Sequence, residues 1–169
     1  MSTILQGAQG CSFLIAISNS ELICNSVAAL ITPELYDLGL SAIQKVKEGV
    51  EMANNYKNVE LWPSVYTAMQ VIVNRVTPPH RDEGGCLTHY DLLVSAGTHT
   101  GATVDIPELG MTLAYSPGTI VSLCGRIFFH QVLRWEGERI CVAHFIKDNV
   151  HERLQLPRPT WPKQSDYFV

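Results

Sequence analysis

After Pro63 the hydrophobic pattern of this chain changes from a helical to a strand-like period and keeps that period through most of the remaining sequence. Short segments rich in β-branched and aromatic residues alternate there with Gly- and Pro-containing turns, which is typical of antiparallel β-structure. The pattern predicts an antiparallel sandwich or jelly roll with flanking helices. The predicted strands are Ser64–Arg75, Asp91–Thr98, Gly101–Ile106, Met111–Tyr115, Thr119–Cys124, Ile127–Trp135 and Arg139–Lys147.

One amphipathic helix is predicted before this β region. Thr32 is a good N-cap, Pro33 suits the first helical position, and Glu34 lies in the first turn, where the helix dipole favours an acid. Apolar residues then recur at three- and four-residue steps to about residue 53 and predict a stripe that packs on the core. The stripe consists of Tyr36, Leu40, Ile43, Val46 and Val50.

The first 20 residues carry no charged side chain and include the apolar run from Cys11 to Ile17. This run lacks the basic start of a signal peptide and is too short to cross a bilayer. It therefore predicts a buried strand or packing segment, and no membrane partner is expected.

A chain of 169 residues is long enough for one hydrophobic core and too short for two comfortable domains. We predict a single domain with a supporting segment over 1–63, a β core over 64–150 and an extended tail over 151–169. Apolar residues make up 46% and charged residues 17%, a balance that argues against disorder.

Charge and cysteine content limit the partners and the cellular compartment that we expect. A formal charge of −4 gives no general basic footprint, so nucleic-acid binding would need a local basic patch. The five cysteines are scattered without a C-x-x-C pair, which favours neither a disulfide framework nor a zinc site. We expect an intracellular, reducing compartment.

His80 and Asp82 stand two residues apart in the sequence PPHRDEGG, and His130 follows in a later predicted strand. Residues two apart in an extended chain point to the same side, so the pair can chelate one ion. Two imidazoles and a carboxylate can hold one face of an octahedral ferrous ion and leave positions for a keto acid and O2. An isolated H-x-D would more simply be a surface turn.

Arg139 begins the last predicted strand, where a guanidinium can bind the distal carboxylate of 2-oxoglutarate with two hydrogen bonds. By itself it could instead pair with Glu136 or Glu138 in an acidic turn. The ordered combination of H-x-D, a distal histidine and this arginine favours an oxygenase that uses Fe(II), 2-oxoglutarate and O2.

At these residues the sequence resembles 2-oxoglutarate dioxygenase domains of the TET/JBP group, particularly the compact fungal members. The resemblance rests on NRVTPPHRDEGG, on the turn DIPELG and on FFHQVLRWEGERICVAHF. It implies a double-stranded β-helix of the cupin-like, jelly-roll type, iron ligands at His80, Asp82 and His130, and Arg139 as the 2-oxoglutarate anchor. It also implies oxidation of 5-methylcytosine or thymine in nucleic acid.

Further residues of the candidate site follow from strand facing. Period two places Phe145 on the face of Arg139, where the resemblance implies a stacking contact with the substrate base, and His144 on the opposite face. Asn74 is predicted either to bind the C1 carboxylate of 2-oxoglutarate or to cap its turn. His89 and His99 are expected at the surface, and Tyr90 or Leu92 opposite Arg139.

The sequence thus predicts an Fe(II)- and 2-oxoglutarate-dependent dioxygenase that hydroxylates a substrate C–H bond and releases succinate and CO2. Methylated nucleic acid is the partner that the resemblance implies, with nuclear localisation if it holds; a small molecule or protein is the alternative substrate. A non-catalytic metal-binding β-sandwich, or a cupin-like enzyme without 2-oxoglutarate, stays open.

Overall fold

The structure is a computed structural model that describes residues 3–53, 58–163 and 165, with side chains described for 5–49, 58–163 and 165. The chain divides into two compact units, Met1–Thr67 with Val150–Val169, and Ala68–Asn149. The strand-rich unit therefore begins at Ala68 and not at residue 64, and the single domain stays a prediction.

The first helix, α1, spans Ala8–Ile31 and includes the apolar run Cys11 to Ile17, so the expected strand is wrong. Apolar side chains occur all around this helix and give no period from which its type could be recognised. Leu14 is buried, whereas Ile15 and Leu30 are 59% and 75% exposed. Length and composition alone would allow α1 to cross a membrane. The absence of a membrane partner stays a prediction.

Helix α2 spans Pro33–Ala53, as the capping and periodicity predict. Its buried face differs from the predicted stripe, because Leu40 is 46% exposed while Gly39 and Ala42 are buried. A methyl group on Gly39 would overlap neighbouring backbone, so small residues allow a close approach here. The side chain of Val50 lies outside the described residues.

The expected extended tail is wrong for its first residues, because helix α3 spans Asp148–Arg153. His151 in this helix is fully buried, and its Nδ1 lies 3.0 Å from the carbonyl oxygen of Pro157. The tail predicted from residue 151 therefore starts as helix before the proline-containing segment.

The strand-rich unit contains eight strands within the described residues, and each predicted strand overlaps one of them. Their bounds are β1 Ala68–Val73, β2 Thr77–His80, β3 Asp91–Gly97, β4 Thr103–Ile106, β5 Met111–Ala114, β6 Ile120–Leu123, β7 His130–Val132 and β8 Arg139–Phe145.

The eight strands form two antiparallel four-stranded sheets with the orders β1-β8-β3-β6 and β2-β7-β4-β5. These orders pair the first strand with the last and progress inward, which is the arrangement of a jelly roll. The predicted double-stranded β-helix with flanking helices is confirmed. Its core is an apolar cluster that includes Val104 and Tyr115, both fully buried, together with Val121 and Cys141.

Strand β2 is the one that the sequence did not reveal. Its residues Thr77–His80 include Pro78 and Pro79, which have no N–H to give to a ladder and therefore argue against a strand. It pairs with β7 through Thr77 and His80 only, with a register shift between them. This irregular pairing accommodates both prolines.

Candidate active site

Strands β2 and β7 bring the two candidate ligand histidines together, because His80 and His130 are direct register partners in this antiparallel pair. Their ring centroids are 4.2 Å apart. Asp82, two residues beyond His80, places its carboxylate between them, with Oδ1 3.5 Å from Nε2 of His80 and Oδ2 3.7 Å from Nε2 of His130. The three residues form one cluster with metal-ligand spacing.

Backbone carbonyls set the tautomers of both rings. Nδ1 of His80 lies 3.0 Å from the oxygen of Pro78, and Nδ1 of His130 lies 3.2 Å from that of Phe128. A carbonyl can only accept, so each Nδ1 carries the proton and each Nε2 presents its lone pair beside Asp82. Burial lowers the pKa of His130, which keeps this ring neutral, as a metal ligand must be.

Glu108 connects the two parts of the chain that supply the cluster. Arg81, between His80 and Asp82, donates from Nη2 to Glu108 at 3.0 Å, and the N–H of Phe129, next to His130, donates to the same carboxylate at 3.1 Å. The Arg81 guanidinium also lies 4.3 Å from the centre of the Phe129 ring. The carboxylate thus fastens the H-x-D loop to β7.

Gly125 lies directly beside the candidate metal ligand Asp82. Its carbonyl accepts the Asp82 N–H at 2.9 Å. A methyl group at Gly125 would overlap Oδ2 of Asp82 and come within 2.8 Å of Oδ2 of Asp91. Burial and the charge of Asp82 raise the pKa of Asp91 to about 8, so this second carboxyl is mainly protonated at neutral pH. A larger residue here would therefore force the Asp82 carboxylate to move.

We expect Gly125→Ala to weaken Fe(II) binding by about 10- to 100-fold, the range found when groups that orient metal ligands are disturbed. The added methyl displaces the Asp82 carboxylate from the two histidines. Fe(II) titration of the anaerobic protein measures the effect. Gly84→Ala is the matched control, because open space surrounds that glycine in the loop that carries Asp82. Equal affinities of the two variants would show that Gly125 does not hold Asp82 in place.

Arg139 is a large, almost fully buried side chain at the start of β8, with 2% exposure. Nη1 donates to the carbonyl of Arg75 at 3.3 Å, and the rings of Tyr115 and Trp135 lie 5.5 and 5.2 Å from the guanidinium carbon. Nε is buried without a hydrogen-bond partner. Within the described residues no carboxylate forms an ion pair with it, so the predicted alternative, pairing with Glu136 or Glu138, is wrong.

Of the two roles predicted for Asn74, co-substrate ligand and turn residue, its contacts are those of a turn residue. Its Nδ2 donates to Glu138 at 2.6 Å, and its Oδ1 accepts the N–H of Arg139 at 2.8 Å. Its φ of 48° is left-handed, a conformation that asparagine tolerates better than most residues. Both ends of the amide are therefore used to hold the start of β8, and the side chain does not line the cavity.

A cavity of about 430 Å³ joins the candidate site residues. His80, Asp82, His130, Arg139 and Phe145 all line it. Its remaining lining includes the apolar residues Ile72, Leu93, Val104 and Val132 and the polar residues Gln70, Arg75, Glu83, Asp91 and Lys147.

His144, on the opposite face of β8 from Phe145, is absent from this lining, and its Nδ1 lies 3.2 Å from the carbonyl of Leu92. Strand β3 contributes Asp91 and Leu93 to the cavity, so the expected Tyr90 or Leu92 is wrong by one residue. An error of one residue in a strand reverses its facing.

The surface positions expected for His89 and His99 are also wrong, because each is only 2% exposed. Nε2 of His99 lies 2.8 Å from the carbonyl of Tyr115 and 3.2 Å from the hydroxyl of Ser95, whereas its Nδ1 is buried without a hydrogen-bond partner among the described residues. Sequence reasoning also missed Asp91 and Glu108. The sequence did carry a signal for Asp91, because this acid starts an otherwise apolar predicted strand.

Two histidines, a carboxylate and a buried arginine thus line one cavity of a jelly roll. Two histidines with one carboxylate are the residue types of a facial-triad metal site. The family model Tet_JBP, described as the oxygenase domain of the 2OGFeDO superfamily, matches residues 9–148. The chain belongs to this family, which confirms the resemblance to the TET/JBP group.

No curated protein matches the chain. Among solved structures it is similar to NgTET1 in complex with 5mC DNA, with 15% sequence identity and a TM-score of 0.46. The alignment covers 69% of this chain and 46% of that one, so the chain spans less than half the length of that structure.

Proposed function

We propose that this chain is an Fe(II)- and 2-oxoglutarate-dependent dioxygenase, with His80, Asp82 and His130 as iron ligands and Arg139 as the co-substrate anchor. The observation that carries the proposal is the buried Arg139 in the same cavity as the three-residue cluster. A buried guanidinium is costly unless an anion reaches it, and the described residues supply none.

The donor set fits Fe(II). Two imidazoles present Nε2 toward one carboxylate, and a set of three protein ligands leaves room for further ligands. When bound, iron and 2-oxoglutarate together supply the activation of O2 that hydroxylates a C–H bond, with release of succinate and CO2.

The surroundings of Arg139 fit a carboxylate. Its planar fork can form two parallel hydrogen bonds, and the Tyr115 and Trp135 rings hold the guanidinium in place. A cupin-like enzyme without 2-oxoglutarate would have no use for this cation. The chain itself therefore orients the co-substrate by its distal end and keeps water away with the apolar lining.

For the substrate we propose a 5-methylpyrimidine base in nucleic acid, supported by family membership and by Phe145 in the cavity lining. An aromatic contact offsets part of the few kcal/mol that removing a base from its stack costs. Arg75 and Lys147 also line the cavity, beside the acids Asp82 and Glu83, and are the cations available there to contact phosphates on a chain of net charge −4. A small molecule or a protein is the alternative substrate.

The test is succinate formation by the purified protein with Fe(II) and 2-oxoglutarate, with and without methylated DNA at low salt. Turnover that requires both cofactors and is stimulated by methylated DNA supports the whole proposal. Turnover that methylated DNA does not stimulate supports the oxygenase assignment and rejects nucleic acid as the substrate. Fe(II) binding without turnover under any condition would favour the non-catalytic metal-binding module.

The five free cysteines agree with the reducing, intracellular compartment that we propose, nuclear if the substrate is nucleic acid.

Phe145→Ala should impair oxidation of methylated DNA at least about tenfold more than uncoupled 2-oxoglutarate decarboxylation, because only the first reaction needs the base positioned. Product analysis and succinate measurement in parallel give the two rates. Val142→Ala is the matched control, since Val142 lies on the same strand and outside the cavity lining. An equal loss of both rates in Phe145→Ala would count against a base beside Phe145.

A further inference from the structure

A second set of metal-ligating side chains, outside the cavity lining, follows the H-x-D loop. The Sγ of Cys86, a ring nitrogen of His89 and a carboxylate oxygen of Asp148 all lie within 4.8 Å of one another. We propose that these three residues bind a Zn²⁺ ion. The proposal does not depend on the oxygenase function.

Local backbone contacts assemble the three residues. His89 donates its N–H to the carbonyl of Cys86 at 3.2 Å, a turn that brings these two side chains to one side. The N–H of Asp148 donates to the carbonyl of Gly84 at 3.3 Å, which fastens the end of the β8 segment to the same loop. Residues far apart in sequence are therefore held together by main-chain contacts and not by long flexible side chains.

The ring of His89 is buried and held by a backbone contact. It is 2% exposed, and its Nδ1 lies 3.1 Å from the carbonyl oxygen of Ile146. That oxygen can only accept, so Nδ1 carries the proton and Nε2 has the lone pair. A backbone carbonyl that fixes the tautomer through the other ring nitrogen is the usual support of a metal-binding histidine.

The ligand types select the ion. A thiolate and an imidazole favour Zn²⁺ over the hard cations Ca²⁺ and Mg²⁺, which prefer oxygen. The cluster of His80, Asp82 and His130 has no sulfur, so the two sites differ chemically. Three protein ligands leave a fourth tetrahedral position for water. Because Cys86 follows Asp82 by four residues, an ion here would order the loop that carries Asp82.

Cobalt substitution distinguishes the two sites. Co²⁺ bound to a thiolate gives a sulfur-to-metal charge-transfer absorption in the near ultraviolet, whereas Co²⁺ held by histidine and carboxylate gives none. Metal-free full-length protein should develop this band with one equivalent of Co²⁺ and lose it when one equivalent of Zn²⁺ is added. The double variant His80→Ala/Asp82→Ala should keep the band, because it removes only the sulfur-free site.

Cys86→Ser should abolish the band, and Asp148→Asn should weaken Zn²⁺ binding by about tenfold or more. Cys11→Ser is the matched control, since Cys11 is a free thiol of similar intermediate exposure. One equivalent of Zn²⁺ should also raise the Tm of the parent protein and of Cys11→Ser but not of Cys86→Ser. Absence of a charge-transfer band, a band that survives Cys86→Ser, or unchanged affinity in a folded Asp148→Asn variant would overturn the assignment.

Discussion

Asp82→Ala should abolish 2-oxoglutarate-dependent succinate formation while the protein stays folded. Asp82 supplies the one carboxylate between His80 and His130, so its loss leaves only two imidazole ligands. Fe(II) affinity should fall by at least about a hundredfold. Loss of a group that only orients a metal ligand costs up to about a hundredfold, and loss of the ligand itself should cost at least as much. The side chain is 45% exposed, so its removal leaves no buried cavity and the Tm should change little.

His80→Ala should have the same effect on turnover, because the remaining His130 and Asp82 no longer form a three-ligand face. Asp105→Asn is the control for loss of an acid in the same unit, since its carboxylate contacts Gln131 at 3.3 Å and does not line the cavity. Anaerobic Fe(II) titration, succinate measurement and thermal unfolding separate metal loss from unfolding. Full succinate production by folded Asp82→Ala or His80→Ala would reject the metal assignment.

Seven of the eight strands in the described residues could be predicted from the sequence because each has a local signature. Turns such as Glu136-Gly137-Glu138 separate segments in which apolar residues alternate or run continuously. Gly137 has a φ of 87°, a conformation that glycine adopts readily in such a turn. The local pattern left a sandwich and a jelly roll open, and the resemblance to the TET/JBP group implied the jelly-roll arrangement. What local signatures could not reveal was a strand made of Thr77–His80, since its two prolines contradict strand propensity.

Which side chains are buried was harder to predict from the sequence than which segments form helices and strands. In α1 apolar residues occur on every side of the helix, so the sequence could not show which side is covered, and Glu21 is 3% exposed while Leu22 is 65% exposed. In α2 the buried positions include Gly39, whose role depends on how closely the backbone of another segment approaches. Such approach distances depend on tertiary packing and leave no periodic signal.

Residues of the candidate site could be predicted from the sequence where they lie a few positions apart in one segment. His80 and Asp82 are two apart, and Phe145 follows Arg139 with even spacing, so strand geometry alone places each pair on one face. Asn74 could not be assigned in this way, because its partners Glu138 and Arg139 are distant in sequence. Glu108 likewise acts through Arg81 and Phe129, which only the folded strands bring together.

Arg139→Ala should raise the 2-oxoglutarate concentration needed for half-maximal succinate formation by about 30-fold to several thousand-fold. Removing a charge-assisted, two-bonded carboxylate contact in a cavity costs about 2–5 kcal/mol. Fe(II) binding should be nearly unchanged, because Arg139 is not part of the three-residue cluster. Arg139→Lys should recover only part of the affinity, since an ammonium group cannot present two parallel donors.

The exposed Arg134 gives the control for loss of one positive charge, and Arg134→Ala should leave 2-oxoglutarate dependence unchanged. Truncating Arg139 also empties space between Tyr115 and Trp135, so thermal unfolding must accompany the kinetics. Added 2-oxoglutarate should raise the Tm of the Fe(II)-loaded parent protein much more than that of Arg139→Ala, because only the former binds it well. A folded Arg139→Ala variant with the parental 2-oxoglutarate requirement would move the anchor to another residue and would remove the observation on which the 2-oxoglutarate assignment depends.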